Sequence, residues 1–132
     1  MAIRIVRSDK APAPVGPYSQ ALVANKTAYL AGQLGLVPAT GQLAAGGVVA
    51  ETRQALTNIQ AVLAEAGCTM DDVVSTCVYM TNLGEFGAMN QVYAEFFAKN
   101  PPARTTVGVA ALPKGGVVEI ACIAVAPACQ GC

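Results

Sequence analysis

The chain has 132 residues, the size of one ordinary domain with no room for a second. Hydrophobic residues make up 54% and charged residues 12%, too apolar for a disordered chain and enough to fill a sizeable core. Eight Lys plus Arg balance eight Asp plus Glu, which supplies no basic face for nucleic acid, and there is no His, which excludes a His-ligated metal and His-based acid–base chemistry.

So little charge leaves too few polar groups to cover the surface, and part of the apolar excess is expected between subunits. Met1 to Lys10 alternates Ile3 and Ile5 with Arg4, Arg7 and Asp9 and has no apolar signal region, so neither a secretory nor a membrane-spanning segment is expected. The five cysteines, Cys68, Cys77, Cys122, Cys129 and Cys132, are odd in number and sit mostly in apolar stretches. That suits buried thiols in a reducing, cytoplasmic setting better than a disulfide framework.

In chain order, a first short strand is expected over 3–6. Pro12, Pro14 and Pro17 then stiffen the segment leading to a second strand over 20–24. Asn25-Lys26 turns the chain into a third strand over 27–31, making a hairpin. Gly32, Gly35, Pro38 and Gly41 read as a long loop that extends to Gly46-Gly47.

The period then changes. Val48, Thr52, Ala55, Leu56, Ile59, Val62, Leu63 and Ala66 recur at helical spacing, while Glu51, Arg53, Gln54, Asn58, Gln60 and Glu65 take the other face, and Gly67 stands where a left-handed residue ends a helix. β-Branched residues dominate a strand over 73–81. A second helix over 85–99 carries Phe86, Met89, Val92, Tyr93, Phe96 and Phe97 in its stripe, and Asn100-Pro101-Pro102 stops it.

Two closing strands, over 104–110 and 117–126, are joined across Pro113-Lys114-Gly115-Gly116. The last is apolar on both faces apart from Glu119, the mark of a central, doubly covered strand. The order β-β-β-α-β-α-β-β predicts one α+β domain over 1–127, a mixed six-stranded sheet with two helices on one face. The tail over 128–132 is expected to be flexible. The bare sheet face needs a partner, and a closed ring or dimer supplies one.

Two residues stand out chemically. Glu119 interrupts an apolar run, and burying an unpaired carboxylate costs on the order of several kcal/mol. It points to solvent at a strand end, belongs to a structural ion pair, or lines a cavity where it can position water or exchange a proton; the apolar flanks favour the cavity. Arg104 follows a rigid Pro-Pro-Ala segment and shares parity with Thr106. It can clamp a carboxylate with two parallel hydrogen bonds, or it can serve a subunit boundary or a solvated strand end. If the last two strands pair as a hairpin, Arg104 and Glu119 stand about 13 Å apart at ~3.3 Å per residue. A shared ligand or a second subunit is then needed to join them. Tyr18 is held in a tight Gly16-Pro17 loop, and Asn90 sits among apolar residues of the second helix. Cys129-x-x-Cys132 has no second pair and is read as tail.

These blocks together resemble the RidA/YjgF reactive-intermediate (imine) deaminases along nearly the whole chain. The resemblance rests on Ala13-Pro14-Val15-Gly16-Pro17-Tyr18-Ser19-Gln20, Ala31-Gly32-Gln33, the pattern from Glu51 to Ile59, and Met89-Asn90-Gln91-Val92-Tyr93. Most specific is the series Pro102-Ala103-Arg104, Val109 to Lys114, and Val118-Glu119-Ile120. The resemblance implies a chorismate-mutase-like fold and a homotrimer whose sheets pack into a central barrel, with clefts between subunits. It also implies hydrolysis of 2-imino acids (2-iminopropanoate, 2-iminobutanoate and their enamines) to 2-keto acids and ammonia, without metal or cofactor.

By that resemblance Arg104 binds the substrate carboxylate and Glu119 serves the water or proton step. Tyr18, Asn90, Thr106, Ala31 and Gly32 line the cleft. Ala31 stands where Ser is often found before the Gly-Gln pair, and Thr106 where Cys is common after the arginine. Competing expectations are a non-catalytic 2-keto-acid-binding regulatory trimer, a ribonuclease or translation inhibitor, which the charge balance argues against, and a chaperone.

Overall fold

The computed structural model describes residues 2–125, so the tail with Cys129 and Cys132 lies outside the described residues. Eight main elements follow one another: β1 (Arg4–Val6), β2 (Ala21–Ala24), β3 (Thr27–Leu34), α1 (Gly47–Glu65), β4 (Val73–Met80), α2 (Phe86–Phe96), β5 (Ala103–Gly108) and β6 (Val118–Val125). One six-stranded sheet runs in the order β1-β2-β3-β6-β4-β5. Only β4 and β5 pair in parallel. The α+β class, the mixed sheet and its two helices are as the sequence predicts.

Local chemistry explains the boundaries. Asn25 and Lys26 both take positive φ, 51° and 60°, the two-residue hairpin turn whose twist matches the strands. α1 ends on Ala66, with Gly67 at φ 82°. The Cys68 N–H donates to the Leu63 carbonyl at 2.8 Å and the Gly67 N–H to Ala64 at 3.1 Å, the two bonds of a Schellman cap. The buried stripe of α1 and Met89, Val92 and Tyr93 of α2 cover one face of the sheet. Val78, Met80, Val118 and Ile120 meet them there with 0% exposure.

Three expectations are corrected. β3 does not end at Ala31 but runs on to Leu34, with its register against β6 shifting between Leu30 and Gln33. Gly32 lies in that irregularity rather than in a loop, a common use of a glycine inside a strand. Next, β5 and β6 are not a hairpin. β6 inserts between β3 and β4, while β5 runs parallel to β4 on the sheet edge through the α2 crossover. The most apolar strand takes the central place and the polar Arg104-Thr105-Thr106 strand takes the rim.

Finally, Glu51 and Asn58 do not face solvent. They are 5% and 0% exposed and share the buried stripe with Ala55 and Val62. The Asn58 Nδ2 donates to the Leu34 and Leu36 carbonyls at 3.2 and 2.9 Å, and a Glu51 Oε1 accepts the Val117 N–H at 2.9 Å. These two side chains tie α1 to the ends of β3 and β6, where the chain would otherwise leave buried backbone groups unpaired.

β6 is central but covered on one side only. On its other side Glu119, Ala121, Ile123 and Val125 face outward. Tyr29, Leu22 and Ile5 continue that surface across the sheet, through Tyr29↔Ile123, Leu22↔Tyr29 and Ile5↔Leu22. Ile5 and Tyr29 are 69% and 50% exposed. Among the described residues no helix is long and apolar enough to cross a membrane.

Candidate active site

A cleft of about 320 Å³ opens beside the end of β3, lined among others by Tyr18, Ala31, Gly32, Leu36, Lys114 and Glu119. Its walls are set by local bonds. The buried Gln20 side chain donates to the Ser8 and Pro12 carbonyls at 3.1 and 2.8 Å and accepts the Ser8 N–H at 2.6 Å, fixing the proline-rich segment. The Ala31 N–H donates to the Gln20 carbonyl at 2.9 Å, joining that segment to the bulge in β3. The half-exposed Tyr18 accepts the Val15 N–H on its hydroxyl at 3.4 Å, so its ring stands at the mouth.

Glu119 sits in register with Leu34 of β3 and Tyr79 of β4. Its carboxylate makes no hydrogen bond or ion pair among the described residues. Desolvation lifts its pKa above the ordinary carboxylate value. Gly32 makes room for it: a Cβ there would stand 2.8 Å from Glu119 Oε2 and 2.9 Å from Cδ. Because the obstacle is the end of a flexible side chain, Gly32→Ala is expected to leave the melting temperature nearly unchanged while displacing the carboxylate. An ångström of misplacement costs up to about 10²-fold in rate, so any reaction that uses this carboxylate should slow by about tenfold or more. Thermal unfolding together with a hydrolysis assay checks both halves.

Arg104 does not line this cleft. Its register partner is Thr76, three residues before the Tyr79 that faces Glu119, and Thr76 points into the helix-covered side, where its hydroxyl meets the Tyr93 hydroxyl at 2.8 Å. The Arg104 guanidinium lies over the Phe86 and Tyr93 rings of α2. It forms no hydrogen bond or ion pair among the described residues. Arg104 and Asn90 share an open recess with Tyr93, Phe97 and Pro102. Thr106, opposite the fully buried Val78, faces the same side. Asn90 Oδ1 and Thr106 Oγ1 are both buried without a hydrogen-bond partner. They are two unpartnered polar oxygens on the face of the sheet that carries Arg104.

The predicted residues therefore fall into two groups on opposite faces of the sheet: Glu119, Tyr18, Ala31 and Gly32 on one, Arg104, Asn90 and Thr106 on the other. Direct contact between Arg104 and Glu119 in one chain is ruled out, as expected, but by the intervening β4 and the change of face rather than by a hairpin register. Sequence reasoning passed over Gln20, Lys114 and the wall-tying pair Glu51 and Asn58. Lys114 stands at φ 59° in the turn before β6 and reaches the Gly41 carbonyl at 3.4 Å. The signal for Glu51 and Asn58 was there: 51, 55, 58 and 62 follow helical spacing on a buried stripe. Among the described residues no group of three or more His, Cys, Asp or Glu is placed to hold a metal ion.

The family model described as Endoribonuclease L-PSP matches residues 8–126. A goat (Capra hircus) protein named 2-iminobutanoate/2-iminopropanoate deaminase is 52% identical over 92% of this chain and 89% of its own length. The human protein of that name is 43% identical over the same shares. Among solved structures, RidA from Psychrobacter sp. PAMC 21119 has a TM-score of 0.90 at 44% identity, covering 93% of this chain and 99% of its own. E. coli TdcF with bound serine has a TM-score of 0.89 at 33% identity, covering 93% and 98%. Matched along nearly its whole length in both sequence and fold, the chain belongs to the Endoribonuclease L-PSP family, the RidA/YjgF proteins.

Proposed function

We propose that this protein hydrolyses 2-imino acids and their enamine tautomers, 2-iminobutanoate and 2-iminopropanoate among them, to 2-keto acids and ammonia. The relatives named for that reaction supply the substrate class. The observation in this chain that carries the reading is the Arg104 guanidinium, free of any ion pair among the described residues, in a recess shared with the unpartnered Asn90 Oδ1. A 2-imino acid brings a carboxylate for that guanidinium and an N–H-bearing imine for an acceptor such as Asn90 Oδ1 or Thr106 Oγ1. Its imine carbon is already electrophilic, so no strong nucleophile has to be made. A water held by Glu119 attacks that carbon as the C=N π electrons move to nitrogen, and the carboxylate passes the water's proton to that nitrogen, giving a carbinolamine. The hydroxyl proton then goes by the same route to nitrogen as C=O forms, the C–N bond breaks and ammonia leaves.

The division of the site between two faces supports an assembly in which one copy's Arg104 and another's Glu119 face the same bound substrate from opposite sides. Arg104 lies on the edge strand, where it can reach a neighbouring copy, and the uncovered apolar face gives the copies a surface to bury. A homotrimer with its sheets around a central barrel satisfies both, and its mass in solution should be three times that of the chain. Cys68, Cys77 and Cys122 are free thiols, in keeping with a cytoplasmic enzyme. The ribonuclease reading carried by the family's description gains no support from the charge balance, with cations and anions at eight each.

The direct test couples a serine or threonine dehydratase to this protein and follows imine decay, with ammonia and 2-keto acid as products. Acceleration over the uncatalysed decay, saturating with substrate, is the expected result. Tight 2-keto-acid binding without any acceleration would instead establish a regulatory module.

A further inference from the structure

Arg104 is held by rings where a carboxylate would be the common partner. Its guanidinium carbon lies 5.4 Å from the Phe86 ring centre and 4.7 Å from that of Tyr93, both within the range of cation–π attraction. Phe86 and Tyr93 are seven residues apart on α2. At about 1.5 Å of rise per residue they stand roughly 10 Å apart on one helix face, a gap that takes a guanidinium between two rings. Tyr93 is pinned from two further sides. Its hydroxyl meets Thr76, the register partner of Arg104 itself, at 2.8 Å, and its ring packs on Phe97 at 4.7 Å between centres.

We propose that Phe86 and Tyr93 form an aromatic cradle that sets how tightly Arg104 holds a carboxylate. The proposal rests on the reading of Arg104 as the carboxylate clamp and adds the residues that position it. An acidic partner would hold the guanidinium equally well, but it would occupy the N–H fork and compete with an anionic ligand. Rings restrain the weakly hydrated guanidinium through its face and leave the edge donors free. Side-chain freedom that a ligand would otherwise freeze is removed beforehand. Phe86 and Tyr93 are thus positioning residues: they act through Arg104 and touch no reacting atom.

The test measures the binding of 2-oxobutanoate, a product-class 2-keto acid, by calorimetry, with kcat/KM and melting temperature beside it, for the wild type, Phe86→Leu, Phe86→Tyr and Arg104→Ala. Phe86 is 38% exposed, and leucine keeps its apolar character, so the fold should persist. Loss of one ring contact should raise the Kd of Phe86→Leu by about five- to tenfold, with kcat/KM falling in parallel. Phe86→Tyr restores both to within about twofold, because it restores the ring face. A merely structural Phe86 would lower the melting temperature and leave the Kd alone. Wild-type affinity in Phe86→Leu, with binding abolished in Arg104→Ala, overturns the cradle and leaves the clamp standing. Wild-type affinity in Arg104→Ala removes the clamp and the cradle together.

Discussion

Arg104→Ala should lower kcat/KM for imine hydrolysis by about 10²- to 10³-fold, the loss of a bidentate, charge-assisted pair of hydrogen bonds to the substrate carboxylate. The fold should survive. The guanidinium is in no ion pair among the described residues, and the two ring contacts it gives up are worth only ~1 kcal/mol each, a shift of several degrees at most in melting temperature. Arg104→Lys keeps the charge and loses the planar fork, so its activity should fall between the two.

The sharper form of this experiment uses the sheet itself. Arg104 and Glu119 project from opposite faces with β4 between them, so neither variant can repair its own chain's site. When Arg104→Ala and Glu119→Gln chains are co-expressed, random assembly leaves about a quarter of the inter-subunit sites with both residues intact. Recovery of roughly that fraction of wild-type activity is the expected readout. If the mixture stays as inactive as its components, the site is not shared between copies.

What the sequence revealed of this arrangement divides along a physical line. Features fixed by neighbours in the chain were legible: the Asn25-Lys26 turn and the Gly67 cap, whereas α2 ends at Phe96, short of the Lys99 expected before the prolines. The turn and the cap depend on φ preferences within a few residues. Strand partners were not legible. Period-two alternation looks the same whether β6 pairs with β5 or slips between β3 and β4, because partner choice is settled by how much apolar surface each arrangement buries. That one ambiguity also hid which face Arg104 takes, and with it the reason the two site residues cannot meet. Glu51 and Asn58 were misjudged for a related cause. Polar residues on a helix suggest the wet face, unless irregular backbone nearby needs side-chain partners, as it does at Leu34, Leu36 and Val117. Arg104 and Glu119 themselves were conspicuous as charges set among apolar or rigid neighbours.

Glu119→Gln separates the chemical role of the carboxylate from its cost to the fold. Desolvation raises the pKa of Glu119 in the native chain, so between its unfolded and folded values the native state keeps a proton that the unfolded chain has released. Stability from this group is therefore present at low pH and declines as pH rises through that window, because ionising a partly dry carboxylate opposes folding. The residue is only half-buried, so the effect is modest. Glutamine cannot ionise, and the variant should melt at the same temperature as the wild type or slightly above it near neutrality. Any such advantage should vanish below the carboxylate's titration range.

Catalysis moves the other way. A carboxylate that takes a proton from the attacking water works only when ionised, so wild-type kcat/KM, corrected for uncatalysed decay, should rise with pH through a value above the ordinary carboxylate range. The Gln variant should lose that limb and about 10²- to 10⁴-fold of the rate, while still binding 2-keto acids through Arg104. A Glu119→Gln enzyme that keeps both its acid limb and its turnover would assign the proton to another group. A variant that loses rate while holding or gaining stability places Glu119 where its unpaired, partly desolvated carboxylate already suggests: retained for the reaction at some expense to the fold.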